Sequence, residues 1–279
     1  MKKIILGIGI LAIGLSAAEF EYGHGKFYLK GGFAALNSEI SADVSTYSLV
    51  EQHKNIFSDW FYKYNITWIS SDDMTQAQSN LSSAVSWLPS SVTSLAVDYK
   101  IRGLDANVVL GRDLFKNARS YIGAGVLLGV SVPSVESDNS NSSGSVDILK
   151  DTDTKITTYK LGLNVTGNTA FNRFVSLYGS GSYAYQTGRV KNSDVDVSTD
   201  ANGNYMDFDI GIRFTPFSAK YKAGFLTLSP KLYATLGYRY QYWQLNDIKV
   251  NVTGVDLTYS GSDLKMKDSV AYVGIGYSF

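Results

Sequence analysis

Ten segments of this chain alternate apolar or aromatic residues with small or polar ones, and a two-residue period restricts each of them to a β-strand. The pattern is clearest in the last twelve residues, Asp268 to Phe279, DSVAYVGIGYSF: Ala271, Val273, Ile275, Tyr277 and Phe279 form one row, and Tyr272, Gly274, Gly276 and Ser278 the other. Trp60–Ile69, Leu104–Leu110, Ile122–Val130, Tyr159–Thr166, Leu177–Gln186, Asp207–Phe214 and Leu232–Tyr242 repeat it. Lys26–Leu36 supplies the first strand, and Val44–Glu51, with Tyr47 and Leu49 on one face, a weaker second. Aromatic and branched residues in such rows favour strand over helix. The fold expected is all-β and antiparallel, with about ten strands; eight or twelve remain open because Val44–Glu51 is weak.

Short turns near Lys116, Asn172 and Lys220 alternate with long polar segments near residues 38–43, 70–95, 134–153, 188–203 and 246–267. Asn202-Gly203 carries the residues of a tight hairpin turn. The segment 70–94 departs from strand periodicity: Met74, Ala77, Leu81, Ala84, Val85 and Leu88 recur at helical spacing behind Asp72 and Asp73, and Pro89 would end the helix. A short amphipathic helix in a loop is expected there, packed on the barrel lip or partly capping it.

The first 18 residues, MKKIILGIGILAIGLSAA, combine two lysines, an apolar stretch and a small-residue cleavage site, which is the pattern of a secretory signal peptide. Residues 19–279 are then one domain. Removing Lys2 and Lys3 from 25 basic residues leaves 23 against 25 acidic ones, a balance that recommends no nucleic-acid partner. The chain has no cysteine, which excludes thiol catalysis, thiolate metal sites and disulfides. Mean hydropathy is −0.06, and an alternating barrel reads like a soluble protein on that scale.

A terminal strand ending in Phe279, with Tyr277 two positions earlier and Val273 and Ile275 before it, resembles the C-terminal assembly signal of bacterial outer-membrane β-barrels. The resemblance extends over residues 19–279 as an architecture rather than an activity. It implies an up-and-down transmembrane β-barrel in the outer membrane of a Gram-negative cell, with long loops outside. It also implies outer-membrane lipid and lipopolysaccharide as surroundings, and handling by periplasmic chaperones and the barrel-assembly machinery, which would read Val273, Ile275, Tyr277 and Phe279. A monomer is expected. Aromatics agree with two interfacial girdles: Phe115, Phe171, Phe174, Phe214, Phe217 and Phe279 near the periplasmic rim, Trp68, Tyr183, Tyr185, Tyr240 and Tyr242 near the outer rim.

If the apolar rows face lipid, the opposite rows place Lys30, Lys63, Lys160, Arg213 and Arg239 against Asp105, Asp207 and Asp209 in the lumen. Opposite charges in a narrow interior pair, since an unpaired buried charge is costly. The expectation is a structural charge network, with a thin ion path along the same residues as the alternative. A ten-strand barrel of this length is similar to the omptin surface proteases, whose chemistry needs carboxylates and a histidine at the outer rim. Asp72-Asp73 and Asp207-Phe208-Asp209 fit superficially, but the only histidines are His24 and His53, placed by this reading near the periplasmic end. No catalytic set and no cofactor is therefore expected; a serine without a base is a poor nucleophile. Asp194, Asp196, Asp200, Asn202 and Asn204 lack the full calcium-loop pattern and read as a solvated hairpin. The function expected is structural or surface-interacting, through the extracellular loops and an unidentified ligand, with a narrow porin-like channel for small solutes or ions as the alternative.

Overall fold

The structure, a computed structural model, describes residues 17–33, 36–54, 59–71, 75–80, 94–138, 153–192, 198–223, 226–252, 255–258 and 263–278. Its strands are β1 (Ala17–Phe33), β2 (Leu36–Lys54), β3 (Trp60–Ser71), β4 (Thr75–Asn80), β5 (Ser94–Lys116), β6 (Ser120–Ser131), β7 (Ser134–Asp138), β8 (Asp153–Ala170), β9 (Val175–Asn192), β10 (Ser198–Phe214), β11 (Tyr221–Ala223), β12 (Leu226–Leu228), β13 (Leu232–Val252), β14 (Val255–Thr258) and β15 (Leu264–Ser278). Ten of these form an antiparallel barrel in the order β1-β2-β3-β5-β6-β8-β9-β10-β13-β15, closed by β1 on β15 from Ala17↔Ser278 to Gly31↔Leu264. Closure leaves the barrel no free edge, so each strand's backbone groups are answered by two neighbours.

The strands are longer than the expected segments. β5 has 23 residues, which at about 3.3 Å per residue and a tilt of about 40° spans roughly 55 Å of barrel axis, about twice an apolar band of about 25 Å. β3 and β6 are short, 12 residues each. Above them β4 pairs with β5 and touches β2, and β7 pairs with β5 and β8, so the ring stays paired after the short strands end. The Ser71 hydroxyl marks the end of β3 by accepting the Ile101 N–H at 2.8 Å. Two periplasmic turns have a local cause in sequence: the Asn117 side chain accepts the N–H groups of Arg119 and Ser120, and Asn172 does the same for Phe174 and Val175.

The polarity of the barrel inverts along its axis. In the periplasmic half of β10, Phe208, Ile210 and Ile212 are exposed on the outside while Asp207, Asp209 and Arg213 point in; past Met206 the outer row becomes Asn204, Asn202 and Asp200, and the inner row Tyr205, Gly203 and Ala201. β13 makes the same exchange after Tyr242, β15 before Asp268 and β8 before Tyr159. The cause is the medium outside. Where lipid surrounds the barrel, apolar side chains face out and polar ones fill the lumen; where water surrounds it, the ordinary inside-apolar rule returns.

Several expectations are corrected by this inversion. β1 begins at Ala17 and turns Phe27 and Leu29 inward, 1% and 8% exposed, so Tyr28 and Lys30 face out, opposite to the lumenal placement expected for Lys30. Residues 38–43, much of 188–203 and most of 246–267 lie in strands rather than loops. Asn202-Gly203 lies inside β10, where a side chain at Gly203 would overlap the Gln244 carbonyl; a close strand contact, not a turn, uses this glycine. Thr75–Asn80 is strand, paired in register with Ser94–Tyr99, so the loop helix is overturned there; residues 72–74 and 81–93, with the remainder of that expectation, lie outside the described residues. No helix among the described residues is long and apolar enough to cross a membrane.

Candidate functional site: the charged lumen

Three tiers of paired charges fill the lumen beneath an apolar septum. In the septum Phe27, Trp243, Leu245 and Met266 are each 1% exposed or less, with ring centroids of Phe27 and Trp243 6.4 Å apart and of Tyr205 and Trp243 5.6 Å apart. They come from the outer halves of β1, β13 and β15, with Ile156 of β8 and Ile101 of β5 completing the layer.

The first tier is centred on Asp105. Its carboxylate accepts Lys160 Nζ at 2.5 Å, Asn107 Nδ2 at 2.5 Å, Gln241 Nε2 at 3.0 Å and the Ser131 hydroxyl. Lys160 also lies over the Tyr205 ring, 3.8 Å from its centre, and Trp243 Nε1 donates to Ser131 Oγ at 3.0 Å, tying the tier to the septum. The second tier is centred on Arg239, whose guanidinium donates to Glu21 at 2.7 Å, Asp209 at 3.0 Å and Ser48 Oγ at 2.9 Å. Tyr272 donates to Asp209 at 2.6 Å, and its hydroxyl meets that of Tyr178 at 2.7 Å. In the third tier Arg213 stacks on Tyr233 at 4.1 Å and pairs with Glu19 at 3.4 Å, and the Thr235 hydroxyl donates to the same carboxylate.

Glycines let this lumen close. The Phe61 ring, fully buried on β3, lies against Gly111 and Gly123, where a side chain at either would overlap the ring. Lys63, one repeat above it, donates to Ser180 Oγ at 2.9 Å. Beside Lys63 a residual cavity of about 20 Å³ is lined by Asn65, Asn107, Asn164, Asp207 and Asp209 among others. Such a volume holds about one water molecule.

Seven of the eight residues expected in the lumen lie there: Lys63, Asp105, Lys160, Asp207, Asp209, Arg213 and Arg239; Lys30 lies on the outer face. Sequence reasoning missed Glu19 and Glu21, which supply a carboxylate to the third and second tiers. Their signal was present as the alternation Glu19-Phe20-Glu21-Tyr22-Gly23 directly after the expected leader. Val273 and Ile275 are exposed on the outer row, Tyr277 is half-buried, and Phe279 lies outside the described residues. His24 is exposed on the outer face of β1 between Ala271 and Ser45, and His53 lies in β2 opposite Tyr62.

No family model and no curated protein matches the sequence. Among solved structures, the outer membrane protease OmpT from Escherichia coli matches with a TM-score of 0.55 at 10% identity, over 95% of this chain and 98% of that one. The translocator domain of the autotransporter NalP from Neisseria meningitidis matches with a TM-score of 0.37 at 10% identity, over 100% and 96% of the two chains. Neisserial surface protein A gives 0.32 at 13% identity, over 94% and 99%. The likeness to OmpT speaks to fold alone, and with the exposed apolar band of the inner half it leads to one statement: the chain is a closed ten-stranded transmembrane β-barrel with the fold of the bacterial outer-membrane barrels.

Proposed function

We propose that this protein is a non-conducting, non-enzymatic outer-membrane barrel that holds an extended sheet and its loops outside the membrane for contact with the surroundings. The observation that carries the reading is the apolar septum directly above the Asp105 tier. An ion path needs a continuous polar or water-filled lumen, and Phe27, Trp243, Leu245 and Met266 interrupt it. The two central charges beneath are held as a structural network requires: Asp105 accepts four donors and Arg239 is paired with two carboxylates.

OmpT is a protease by its description. Among the described residues nothing supports carrying that activity over. A general base must lie within hydrogen-bond reach of its partners, whereas His24 faces outward on β1 and Asp209 is tied to Arg239 and Tyr272 within the lumen. Asp72 and Asp73, the other pair considered, lie outside the described residues.

Planar-bilayer recording of the refolded protein tests the reading. Silence from a protein shown to be inserted by heat-modifiable mobility is the expected result. Stable conductance steps, with ion selectivity that shifts in Arg213→Ala or Arg239→Ala, would make it a channel instead.

A further inference from the structure

We infer that the periplasmic rim of this barrel binds the phosphate groups of anionic phospholipids in the adjoining leaflet. The inference rests on the membrane-spanning reading and adds a ligand class to it. Six exposed basic side chains gather at this end: Arg112 and Lys116 at the end of β5, Arg119 in the β5–β6 turn, Arg173 in the β8–β9 turn, and Lys220 and Lys231 in the β10–β13 segment. Among the described residues, the acidic side chains in the outer rows and turns of the same rim are Asp59, half-exposed, and Asp113, whose side chain is only 2% exposed.

At the opposite end four cations stand beside carboxylates, Lys26–Asp43, Arg102–Glu136, Arg189–Asp200 and Lys265–Asp263, while Lys155 and Lys191 face each other across β8 and β9. Among the described residues no carboxylate lies within ion-pair distance of Arg119, Arg173, Lys220 or Lys231. Among the described residues, Arg119, Arg173, Lys220 and Lys231 therefore give this rim an excess of exposed positive charge.

Position selects the ligand. Arg112 is on the lipid-facing row of β5, between exposed Leu110 and Leu114, and its cross-strand partner on β3 is exposed Trp60. Its contact with Asp59 is 3.7 Å long with both side chains half in solvent, so it is weak and displaceable. Arg173 stacks on Phe174 at 4.5 Å, beside exposed Phe171. Guanidinium groups interleaved with aromatic rings at the edge of an apolar band sit where lipid phosphates are, with the side-chain stem in the interface and the charge at the headgroup. A cell-wall polymer, also anionic, would meet groups facing away from the barrel into the periplasm, and would not explain a guanidinium on the lipid-facing row.

Fluorescence quenching by brominated lipid tests this with Trp60 as the reporter. With Trp68→Phe and Trp87→Phe in place, the remaining tryptophans are Trp60, exposed, and Trp243, buried in the septum. The protein is refolded into equimolar phosphatidylglycerol and phosphatidylcholine, brominated on one or the other. Expected is stronger quenching by brominated phosphatidylglycerol, a preference of about fivefold for each engaged basic residue at low salt. It should fall towards unity at high salt and in Arg112→Gln/Arg119→Gln/Arg173→Gln. Equal quenching by both lipids in the wild-type background overturns the inference, and retention on cell-wall sacculi without lipid preference replaces it with a polymer surface. Absence of quenching by either lipid overturns the membrane-spanning reading itself. The salt titration needs no rim variant, so a variant that fails to fold leaves the test intact.

Discussion

Arg239 has the most demanding position of any single residue in this protein, because it is 4% exposed and holds two carboxylates. Removing one member of a buried charge group leaves the others without a counter-charge, which costs more than the group contributes to stability. Arg239→Ala is therefore expected to destabilise the refolded protein by roughly 3–5 kcal/mol, read by urea titration in lipid vesicles. Adding Glu21→Gln and Asp209→Asn to the same variant should recover most of the loss; an equal loss in both would show that packing, not charge, holds the tier. Phe279 makes a different kind of prediction, about biogenesis. If the terminal row is what the assembly machinery reads, deleting Phe279 lowers the yield of heat-modifiable barrel in cells, and an unchanged yield removes that role.

The strand is the scale at which the polarity exchange can be tested. Because the chain contains no cysteine, introduced thiols report without background. In β1, Lys30→Cys should react with a membrane-impermeant maleimide on intact cells, whereas Phe27→Cys and Leu29→Cys, turned into the septum, should not. Labelling of Phe27→Cys in preference to Lys30→Cys would return β1 to a single lipid-facing row. In β10, Gly203→Ala pushes a methyl group into the Gln244 carbonyl of β13 and should cost about 1–3 kcal/mol, as overpacking does. Asn202, exposed on the outer row beside it, should tolerate alanine with little change. The segment boundaries expected from sequence fall where the rows exchange. Tyr159 in β8, Asp207 in β10, Tyr242 in β13 and Asp268 in β15 each ended or began a row, because past them an apolar outer row no longer exists.

The whole molecule combines two barrels of opposite polarity on one set of strands, a lipid-facing half with a charged lumen and a water-facing half with an apolar one. The septum makes the second half a plug for the first, and opening it should be measurable. Phe27→Ala with Trp243→Ala removes two fully buried rings, so flickering conductance absent from the parent is expected in planar bilayers. Continued silence from the inserted variant would mean that the charge tiers seal the lumen unaided. The period of two, the ten-strand antiparallel barrel and the lumenal side of Lys63, Asp105, Lys160, Asp207, Asp209, Arg213 and Arg239 were legible in the sequence alone. Those properties depend only on alternation within a strand, which is local. The phase of β1, the outward position of Lys30, the use of Gly203 in a strand contact and the pairing of Glu19 with Arg213 and of Glu21 with Arg239 were decided by tertiary structure. Alternation says that two faces differ but not which medium each one meets. That depends on where a residue lies along the barrel axis, and on partners such as Arg239 and Glu21 that are more than two hundred residues apart in the chain.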